Sequence, residues 1–354
     1  MKRVDERDVM FSRANYQKGT DVYEDYYKRN PDKKAIDDSI RTRPHLCDED
    51  TMTYSELNSP MASSAFEFLG DIRHLCEGKV SPVKVQGNKK IITRRIKGFA
   101  KHYGAKLVGI TELKDYHFYT HRGRHTEDYG KEVKCDHRYG IVFAVEMDKD
   151  MINRGPMIAE VIETSKCYVD AAVIGMVLSY YIRNLGYEAR NHMDANYLLM
   201  PVLVARDAGL GELGRNNLLT NKKFGSRIRL GVVTTDLELE IDEPVSFGLE
   251  DFCEQCKNCS FICPSQSISN ETEKYSNDNL NWTINQETCY IKWTYTGTDC
   301  GMCISSCPFS QNMEAMKDID TFKDNPKLIA SVLGEFRKKY GKKPFVPGNP
   351  DWLR

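Results

Sequence analysis

Two runs of cysteine near the C-terminal end constrain this chain more than any other feature. Eight of the twelve cysteines lie between Cys253 and Cys307. The runs read Cys253-x2-Cys256-x2-Cys259-x3-Cys263-Pro264 and Cys289-x10-Cys300-x2-Cys303-x3-Cys307-Pro308. Gaps of two and three residues bring successive thiolates to one side of a loop, so the spacing predicts metal binding.

The first run has the spacing of a [4Fe–4S] site of the bacterial ferredoxin type, in which the fourth cysteine reaches a second cluster. Zinc is the main alternative, because two Cys-x2-Cys pairs form four-thiolate zinc sites. A zinc ribbon has no use for the third x2 step or for the x3-Cys-Pro ending. Disulfides fit less well, because the rest of the chain has the composition of a reduced, charged globular protein. The sequence therefore predicts two [4Fe–4S] clusters.

Analogy with two-cluster ferredoxins assigns four ligands to each cluster. Because the second run lacks a compact triplet, Cys289 becomes the remote ligand. Cluster one takes Cys253, Cys256, Cys259 and Cys307, and cluster two takes Cys263, Cys289, Cys300 and Cys303. The other cysteines, which are Cys47, Cys76, Cys135 and Cys167, are interpreted as small buried apolar residues.

Charge and hydropathy restrict the partners. Lysine and arginine number 50 against 51 acidic residues, so the net charge is −1 and favours neither nucleic acid nor an anionic membrane. No apolar run approaches the roughly 20 residues that span a bilayer. The first residues carry no apolar segment of a secretory leader and no twin-arginine leader, so a cytoplasmic location is expected.

Helical and strand patterns alternate in the middle of the chain. Apolar periodicity predicts helices over residues 63–76, 89–103, 174–185, about 197–207 and 328–336. Short β-branched runs predict strands over 107–111, 140–146 and 227–236. This alternation predicts a mixed α/β (α+β) layer fold.

Four regions follow from the composition. Residues 1–88 form an N-terminal arm that is largely irregular and packs on the core. Residues 89–244 form an α/β domain, 245–315 a ferredoxin-like two-cluster domain, and 316–354 a C-terminal helix and tail.

The loop Gly209-x-Gly211-x-x-Gly214 matches the dinucleotide fingerprint in its letters. That motif requires a strand before it, so that pyrophosphate meets the start of the following helix. Because the preceding residues are predicted to be helical, dinucleotide binding is not expected. The glycines indicate a close approach of backbone to another backbone or to a flat ligand.

The order of further motifs resembles that of the cobalamin-dependent reductive dehalogenases, with the epoxyqueuosine reductases as more distant relatives. The resemblance covers about residues 5–312. Its motifs, besides the cysteine runs, are 11–13 (FSR), 185–187 (LGY), 205–215 (ARDAGLGELGR), 224–229 (FGSRIR), 235–237 (TDL) and Cys289-Tyr290-x2-Trp293.

This resemblance implies a nitroreductase-like core that holds cobalamin as a base-off corrinoid beside one cluster. Near the corrin it places the loop residues Gly209, Leu210, Gly211, Gly214 and Arg215. The sequence has no Asp-x-His-x-x-Gly motif for a histidine ligand to cobalt. The implied partners are a small organohalide and a low-potential electron donor, a ferredoxin or flavodoxin.

The implied reaction replaces halogen by hydrogen, with Co(I) cobalamin receiving electrons from the two clusters. In the family a tyrosine delivers the proton, and a nearby cation stabilises the phenolate. Tyr168 matches that tyrosine, just before the helix predicted over 174–185, and Arg227 or Arg229 matches the cation, with Arg229 slightly preferred. The cation is expected to lower the tyrosine pKa. Asn196 matches a residue that helps to hold the tyrosine, and Asp194 lies near the position of an acid in the queuosine enzymes.

Other functions stay open at this point. An enzyme like epoxyqueuosine reductase would act on modified tRNA, and another corrinoid reductase would act on a non-halogenated substrate. A ferredoxin-type electron carrier would need neither, although a large α/β domain before the cysteines disfavours it. His121 and His125 have helical spacing but no partner ligands in sequence, so they are interpreted as surface residues.

Overall fold

The structure, a computed structural model, describes residues 1–134, 136–271 and 282–354. Cys135 therefore lies outside the described residues. The strands are β1 (Leu107–Glu112), β2 (Tyr139–Glu146), β3 (Ala189–His192), β4 (Glu212–Leu213), β5 (Leu219–Thr220) and β6 (Ile228–Thr235). The helices are α1 (Met10–Arg13), α2 (Asp21–Arg29), α3 (Lys34–Arg41), α4 (Ser59–Ile72), α5 (Lys89–His102), α6 (Lys149–Ile152), α7 (Ile158–Asn184), α8 (Pro201–Asp207), α9 (Leu249–Cys256), α10 (Asn258–Ile262), α11 (Gln286–Thr296), α12 (Met302–Ser305) and α13 (Pro326–Tyr340).

An antiparallel sheet with the strand order β1-β2-β6-β3 forms the centre of the fold. Alternate residues of β2 point to opposite faces, as strand geometry requires. Phe143 packs in a core with α5 and α7, whereas Val142 packs in a second core with α8. The sheet is therefore covered by helices on both faces, which explains why β2 is apolar along its length. The predicted mixture of helices and sheet is confirmed.

The long helix α7 crosses one face of the sheet and carries Tyr168 in its N-terminal half. The prediction began this helix at residue 174, sixteen residues too late, and placed Tyr168 before it. Buried polar side chains such as Glu160, Thr164 and Ser165 interrupt the apolar periodicity of the first turns. Gly186 has a φ of +87° and follows the helix, and a Cβ there would lie 2.4 Å from the Val83 carbonyl oxygen.

The N-terminal region is helical where the sequence suggested a largely irregular arm. Helix α2 buries the tyrosines Tyr23, Tyr26 and Tyr27 instead of aliphatic residues. The fully buried Arg13 pairs with Asp37 at 2.6 Å and with Glu287 of α11 at 2.8 Å. Aromatic and ion-paired residues therefore build this core, which an apolar pattern does not reveal.

Several other elements were predicted correctly in type. Helices α4, α5 and α13 and strands β1, β2 and β6 are confirmed with small shifts at their ends. Helix α8 begins at Pro201, later than predicted, and β3 was missed because Arg190, Asn191 and His192 are polar although buried. The region boundaries after residues 88, 244 and 315 remain predictions. Among the described residues, no helix is long and apolar enough to cross a membrane.

Candidate active site

Cys253, Cys256, Cys259 and Cys307 line one cavity. Helix α9 ends at Cys256, and Lys257 adopts a left-handed conformation with a φ of 53° before α10 begins. This reversal brings the three cysteines of the first run to one side of the chain. Cys307 comes from the second run and completes the group predicted for cluster one.

The second group is assembled from three segments. Burial is the largest influence that raises the pKa of Cys303, and the neighbouring thiols of Cys300, Cys289 and Cys263 raise it further. Cys289 lies on α11 and Cys303 on α12. These four cysteines are the predicted ligands of cluster two.

Burial raises the pKa of most of these thiols, to about 12 for both Cys253 and Cys300. Cys263 differs: burial raises its pKa, but hydrogen bonds from the Ser265 hydroxyl and the Ser267 amide outweigh it, so the net pKa is lowered. Buried thiolates crowded together are unstable without a cation, so the donor set fits iron–sulfur ligation. Within the described ranges, no three His, Cys, Asp or Glu side chains form a site for a single metal ion.

Tyr168 lies against Arg229 across the interface between α7 and β6. An Nη atom of Arg229 donates to the Tyr168 hydroxyl oxygen at 3.2 Å, and the guanidinium carbon lies 4.5 Å from the ring centroid. The other Nη donates to Thr164 Oγ1 at 3.0 Å and to Asp299 Oδ2 at 2.9 Å. A tyrosine, a cation and a carboxylate therefore form one connected group.

The net pKa of Tyr168 is raised, which contradicts the expectation of a lowered value. Burial is the largest influence and raises the pKa, while the positive charge of Arg229 lowers it by a smaller amount. Negative charge on Asp194 and Asp299 raises it further. Tyr168 therefore keeps its proton near neutral pH, and Arg229 reduces the cost of releasing it.

Arg227 lies two residues from Arg229 but has a different set of partners. It is 1% exposed, forms an ion pair with Glu146 at 3.0 Å and donates to the carbonyl oxygens of Met147 and Ser310. The geometry separates the two candidate cations that the sequence left open, because Arg229 contacts Tyr168.

Asn196 accepts a hydrogen bond from Arg190 at 2.8 Å and donates to the Arg73 carbonyl oxygen at 3.4 Å. In the part of the chain that the structure describes, no hydrogen bond joins Asn196 to Tyr168. Its proposed support of the tyrosine is therefore not a direct contact here.

The glycine loop after α8 contacts protein backbone and the first cysteine group. A Cβ on Gly209 would lie 2.4 Å from the Glu243 carbonyl oxygen, and a Cβ on Gly211 would lie 2.4 Å from that of Thr220. Arg215 donates to the Cys253 carbonyl oxygen at 3.2 Å, and its guanidinium lies 4.0 Å from the Trp282 ring centroid. Gly214 and Arg215 line the cavity of the first cysteine group, whereas Leu210 is buried in the core with α8. The helix expected before the loop is present, whereas the dinucleotide motif requires a strand at that place.

Comparison with known proteins gives one consistent resemblance. The chain is 32% identical over 222 residues to a tetrachloroethene reductive dehalogenase from Desulfitobacterium hafniense, covering 60% of this chain and 40% of that protein. It is 29% identical over 201 residues to a tetrachloroethene reductive dehalogenase from Sulfurospirillum multivorans, covering 54% and 40%. The resemblance to the reductive dehalogenases is confirmed.

The more distant resemblance is also found. An epoxyqueuosine reductase from Lactococcus garvieae is 29% identical over 157 residues, covering 40% of this chain and 43% of that protein. No family model matches the chain. The chain spans about 40% of the length of the dehalogenases that it matches.

A solved structure shows the same fold. The catabolic reductive dehalogenase NpRdhA in complex with 3-bromo-4-hydroxybenzoic acid aligns with a TM-score of 0.73 at 22% identity. The alignment covers 97% of this chain and 47% of that one. The helices and sheet described above therefore form the fold of a reductive dehalogenase.

Sequence reasoning missed two acids near Arg229, which are Glu160 and Asp299. Burial raises the pKa of Glu160 well above its usual range, and the charge of Asp299 raises it further. Glu160 Oε2 and Asp299 Oδ1 are buried without a hydrogen-bond donor among the described residues. The raised pKa favours the protonated form of Glu160, whose carboxyl group can donate a hydrogen bond to Asp299. Asp299 directly precedes the predicted cluster ligand Cys300, and this adjacency could have drawn attention to it. No sequence feature distinguishes Glu160.

The two histidines and the remaining cysteines have ordinary surroundings. His121 Nδ1 lies 3.5 Å from Asp5, and His125 Nε2 lies 2.8 Å from the Ala195 carbonyl oxygen. Cys47, Cys76 and Cys167 are buried, as predicted.

Two cavities adjoin beside β3. They measure about 500 Å³ and about 310 Å³ and share lining residues that include Glu77, Arg190 and Leu198. Asn196 also lines the larger one.

Proposed function

We propose that this chain carries the catalytic core of a reductive dehalogenase, which replaces a halogen of an organohalide by hydrogen. The contact between Tyr168 and Arg229 carries the proposal. It places a cation against the oxygen of a phenol that can release a proton, within the fold of that family. The overall change consumes two electrons and one proton and releases halide.

The two cysteine groups are proposed to bind one [4Fe–4S] cluster each. Each donor set contains four thiols. The charge of Cys303 in the second group raises the pKa of Cys259 in the first, so the two groups are close to one another. This proximity suits transfer of electrons from one group to the other.

A base-off corrinoid is proposed for the central domain, where the adjoining cavities beside β3 offer about 500 and 310 Å³ of space lined by polar groups. When bound, the clusters supply single electrons and the corrinoid supplies reduction of the carbon–halogen bond. The loop from Gly209 to Arg215 remains a predicted part of the corrinoid site. Its last two residues, Gly214 and Arg215, line the cavity of the first cysteine group.

Tyr168 is proposed to give its hydroxyl proton to the carbon that loses halide. Burial keeps the phenol protonated near neutral pH, so the proton is present when it is needed. Arg229, 3.2 Å away, then stabilises the phenolate that remains. Asp299 and Thr164 hold the guanidinium from its other side, which fixes its position against the phenol.

An anaerobic turnover assay tests this function. The chain is loaded with iron, sulfide and cobalamin, supplied with a low-potential reductant and given brominated and chlorinated phenols, benzoates and ethenes. Release of halide with formation of the hydrogenated product is the expected result. Cofactor-loaded protein that releases no halide from any of these compounds contradicts the proposal.

A second candidate is the reduction of a non-halogenated substrate, as in the epoxyqueuosine reductases. Asp194 favours it, because a carboxylate near the proton donor is expected there from the resemblance and its charge does raise the pKa of Tyr168. Reduction of an epoxyqueuosine-modified RNA stem loop, without halide release from organohalides, would support this candidate.

A further inference from the structure

Arg215 is a buried cation that the proposed proton transfer does not use. Among the described residues, three arginines are at most 2% exposed, which are Arg13, Arg215 and Arg227. Arg13 pairs with two carboxylates and Arg227 with one. Arg215 has no carboxylate partner in the described part of the chain. Because a buried charge is costly without an opposite charge, the position of Arg215 indicates a negative group of another kind nearby.

Carbonyl oxygens hold most of the guanidinium of Arg215 in place. Nε donates to the Cys253 carbonyl oxygen at 3.2 Å, and Nη1 donates to those of Ser269 and Glu271 at 3.0 and 3.1 Å. Nη2 is buried and has no hydrogen-bond acceptor among the described residues. The side chain is therefore fixed in orientation, with one N–H group left to donate.

The nearest acid in sequence does not neutralise this charge. Glu212, three residues earlier, accepts from the backbone amides of Phe247 and Leu249 at 2.7 and 3.4 Å through Oε2. The Trp282 ring, which is 5% exposed, has its centroid 4.0 Å from the guanidinium carbon of Arg215. An aromatic face at this distance attracts the cation and keeps water from it, but it carries no net charge.

The negative group that fits lies in the cavity of the first cysteine group. Arg215 lines this cavity together with the four predicted ligands, which are Cys253, Cys256, Cys259 and Cys307. A four-iron cluster with four thiolate ligands carries a net negative charge, and reduction adds one more. Hydrogen bonds to the sulfurs, net charge and solvent exposure are the features of a protein that set the potential of such a cluster.

We propose that Arg215 donates its remaining N–H group to the cluster of the first cysteine group and raises the reduction potential of that cluster. The positive charge stabilises the reduced form more than the oxidised form, because the reduced form is the more negative one. This inference rests on the proposed pair of clusters and adds a residue that tunes one of them. Arg215 takes no part in proton transfer.

A redox titration tests the inference without any organohalide. The chain, loaded with iron, sulfide and cobalamin, is titrated with a low-potential reductant, and electron paramagnetic resonance follows the reduced clusters. In Arg215→Gln we expect reduction of one cluster to become about 10-fold less favourable, the effect of losing a charge-assisted hydrogen bond. For one electron this is a shift of about 59 mV to lower potential.

Two further variants identify the cause. Arg215→Lys keeps the positive charge, so its shift is expected to be smaller than that of Arg215→Gln. Arg138→Gln is the matched control, because Arg138 is an exposed arginine paired with Glu112, and it is expected to leave both potentials unchanged. A shift in Arg215→Lys as large as that in Arg215→Gln would contradict the assigned effect of charge.

A spectrum of the wild-type protein tests the contact itself and does not depend on how well a variant folds. Protein with ¹⁵N-labelled arginine is reduced and examined by pulsed electron paramagnetic resonance. A nitrogen whose proton is donated to a cluster sulfur acquires a small spin density. We therefore expect a weak ¹⁵N coupling in the wild type and in Arg138→Gln, and its loss in Arg215→Lys.

An unshifted potential in Arg215→Gln overturns the inference, as does a wild-type spectrum without a ¹⁵N coupling. Either result, at about eight iron atoms per chain, would leave the proposed clusters intact and remove only the role of Arg215. About four iron atoms per wild-type chain would instead contradict the pair of clusters on which the inference rests.

Discussion

Arg227 and Arg229 lie two residues apart but belong to regions with different tasks. Arg227 is buried and pairs with Glu146. It donates hydrogen bonds to the carbonyl oxygens of Met147, just after β2, and of Ser310, just after the second cysteine run. Arg229 points toward α7 and donates hydrogen bonds to Tyr168, Thr164 and Asp299. One arginine connects the sheet to the cysteine region, and the other supplies charge to the candidate active site.

The difference shows that the role of a residue cannot be assigned from its side-chain type or from its position close to another candidate in the sequence. Both side chains are charged, and both were candidates for the cation beside the tyrosine. Their partners distinguish them, because a guanidinium surrounded by carbonyl oxygens and one carboxylate stabilises the fold, while a guanidinium against a phenol changes that phenol's acidity. Mutations can separate these effects.

Tyr168→Phe should have the largest effect on turnover. Loss of the hydroxyl removes the proposed proton donor but keeps the ring packed against Phe66. We expect turnover to fall by about 100-fold or more, the usual contribution of a positioned acid, with unchanged iron and cobalt content. Anaerobic halide release and metal analysis on the same sample measure both. Full turnover would show that Arg229 does not serve a proton donor at this position.

Arg227→Gln should lower stability more than any change at Arg229. The substitution leaves Glu146 without its ion-pair partner and removes donors from two buried carbonyl oxygens, so we expect the free energy of unfolding to fall by ~3 kcal/mol. Chemical denaturation measures this value. Arg138→Gln, at an exposed pair, is the control and should stay within ~0.5 kcal/mol of the wild type. Equal stabilities for the two variants would remove the structural role of Arg227.

Arg229→Gln should lower turnover by about 10-fold, with little loss of stability compared with Arg227→Gln. The positive charge of Arg229 opposes the effect of burial, so its removal raises the pKa of Tyr168 further. An alkaline limb of the pH–rate profile due to Tyr168 should therefore move to higher pH. Comparison of the profiles of Arg229→Gln and wild type checks the direction, and a shift to lower pH would contradict the assigned electrostatics.

Asp299→Asn should have the smallest effect of the series. The negative charge of Asp299 raises the pKa of both Tyr168 and Glu160, so its removal should lower both values. Because the amide oxygen can still accept from Arg229, we expect turnover to fall by only about threefold, a change of less than 1 kcal/mol. A loss as large as that in Tyr168→Phe would show that the carboxylate itself is needed in the reaction.

The cysteine groups could be predicted because their spacing is local. Turns of two and three residues bring Cys253, Cys256 and Cys259 together with little help from the rest of the fold. The partition of the eight cysteines into two groups of four stays a prediction. Helices α5 and α13 could be predicted for the same reason, because apolar residues that recur every three to four positions are also a local pattern.

The tyrosine site could be found only in part. Tyr168 and Arg229 were singled out through resemblance, since 61 residues separate them and no pattern links them. Glu160 and Asp299 are 139 positions apart, so their pairing depends on how α7 packs on the second cysteine run. The direction of the Tyr168 pKa was wrong because burial, which outweighs the charge of Arg229, is a property of the fold and cannot be read from neighbours in sequence.

Metal analysis after anaerobic loading tests the central claim most directly. The chain is reconstituted with iron, sulfide and cobalamin, freed of excess reagents and examined by metal counting and ultraviolet–visible spectroscopy. Two four-iron clusters and one corrinoid predict about eight iron atoms and about one cobalt atom per chain. Eight iron atoms without cobalt would contradict a corrinoid-dependent dehalogenase, and about four iron atoms would contradict the assignment of two clusters.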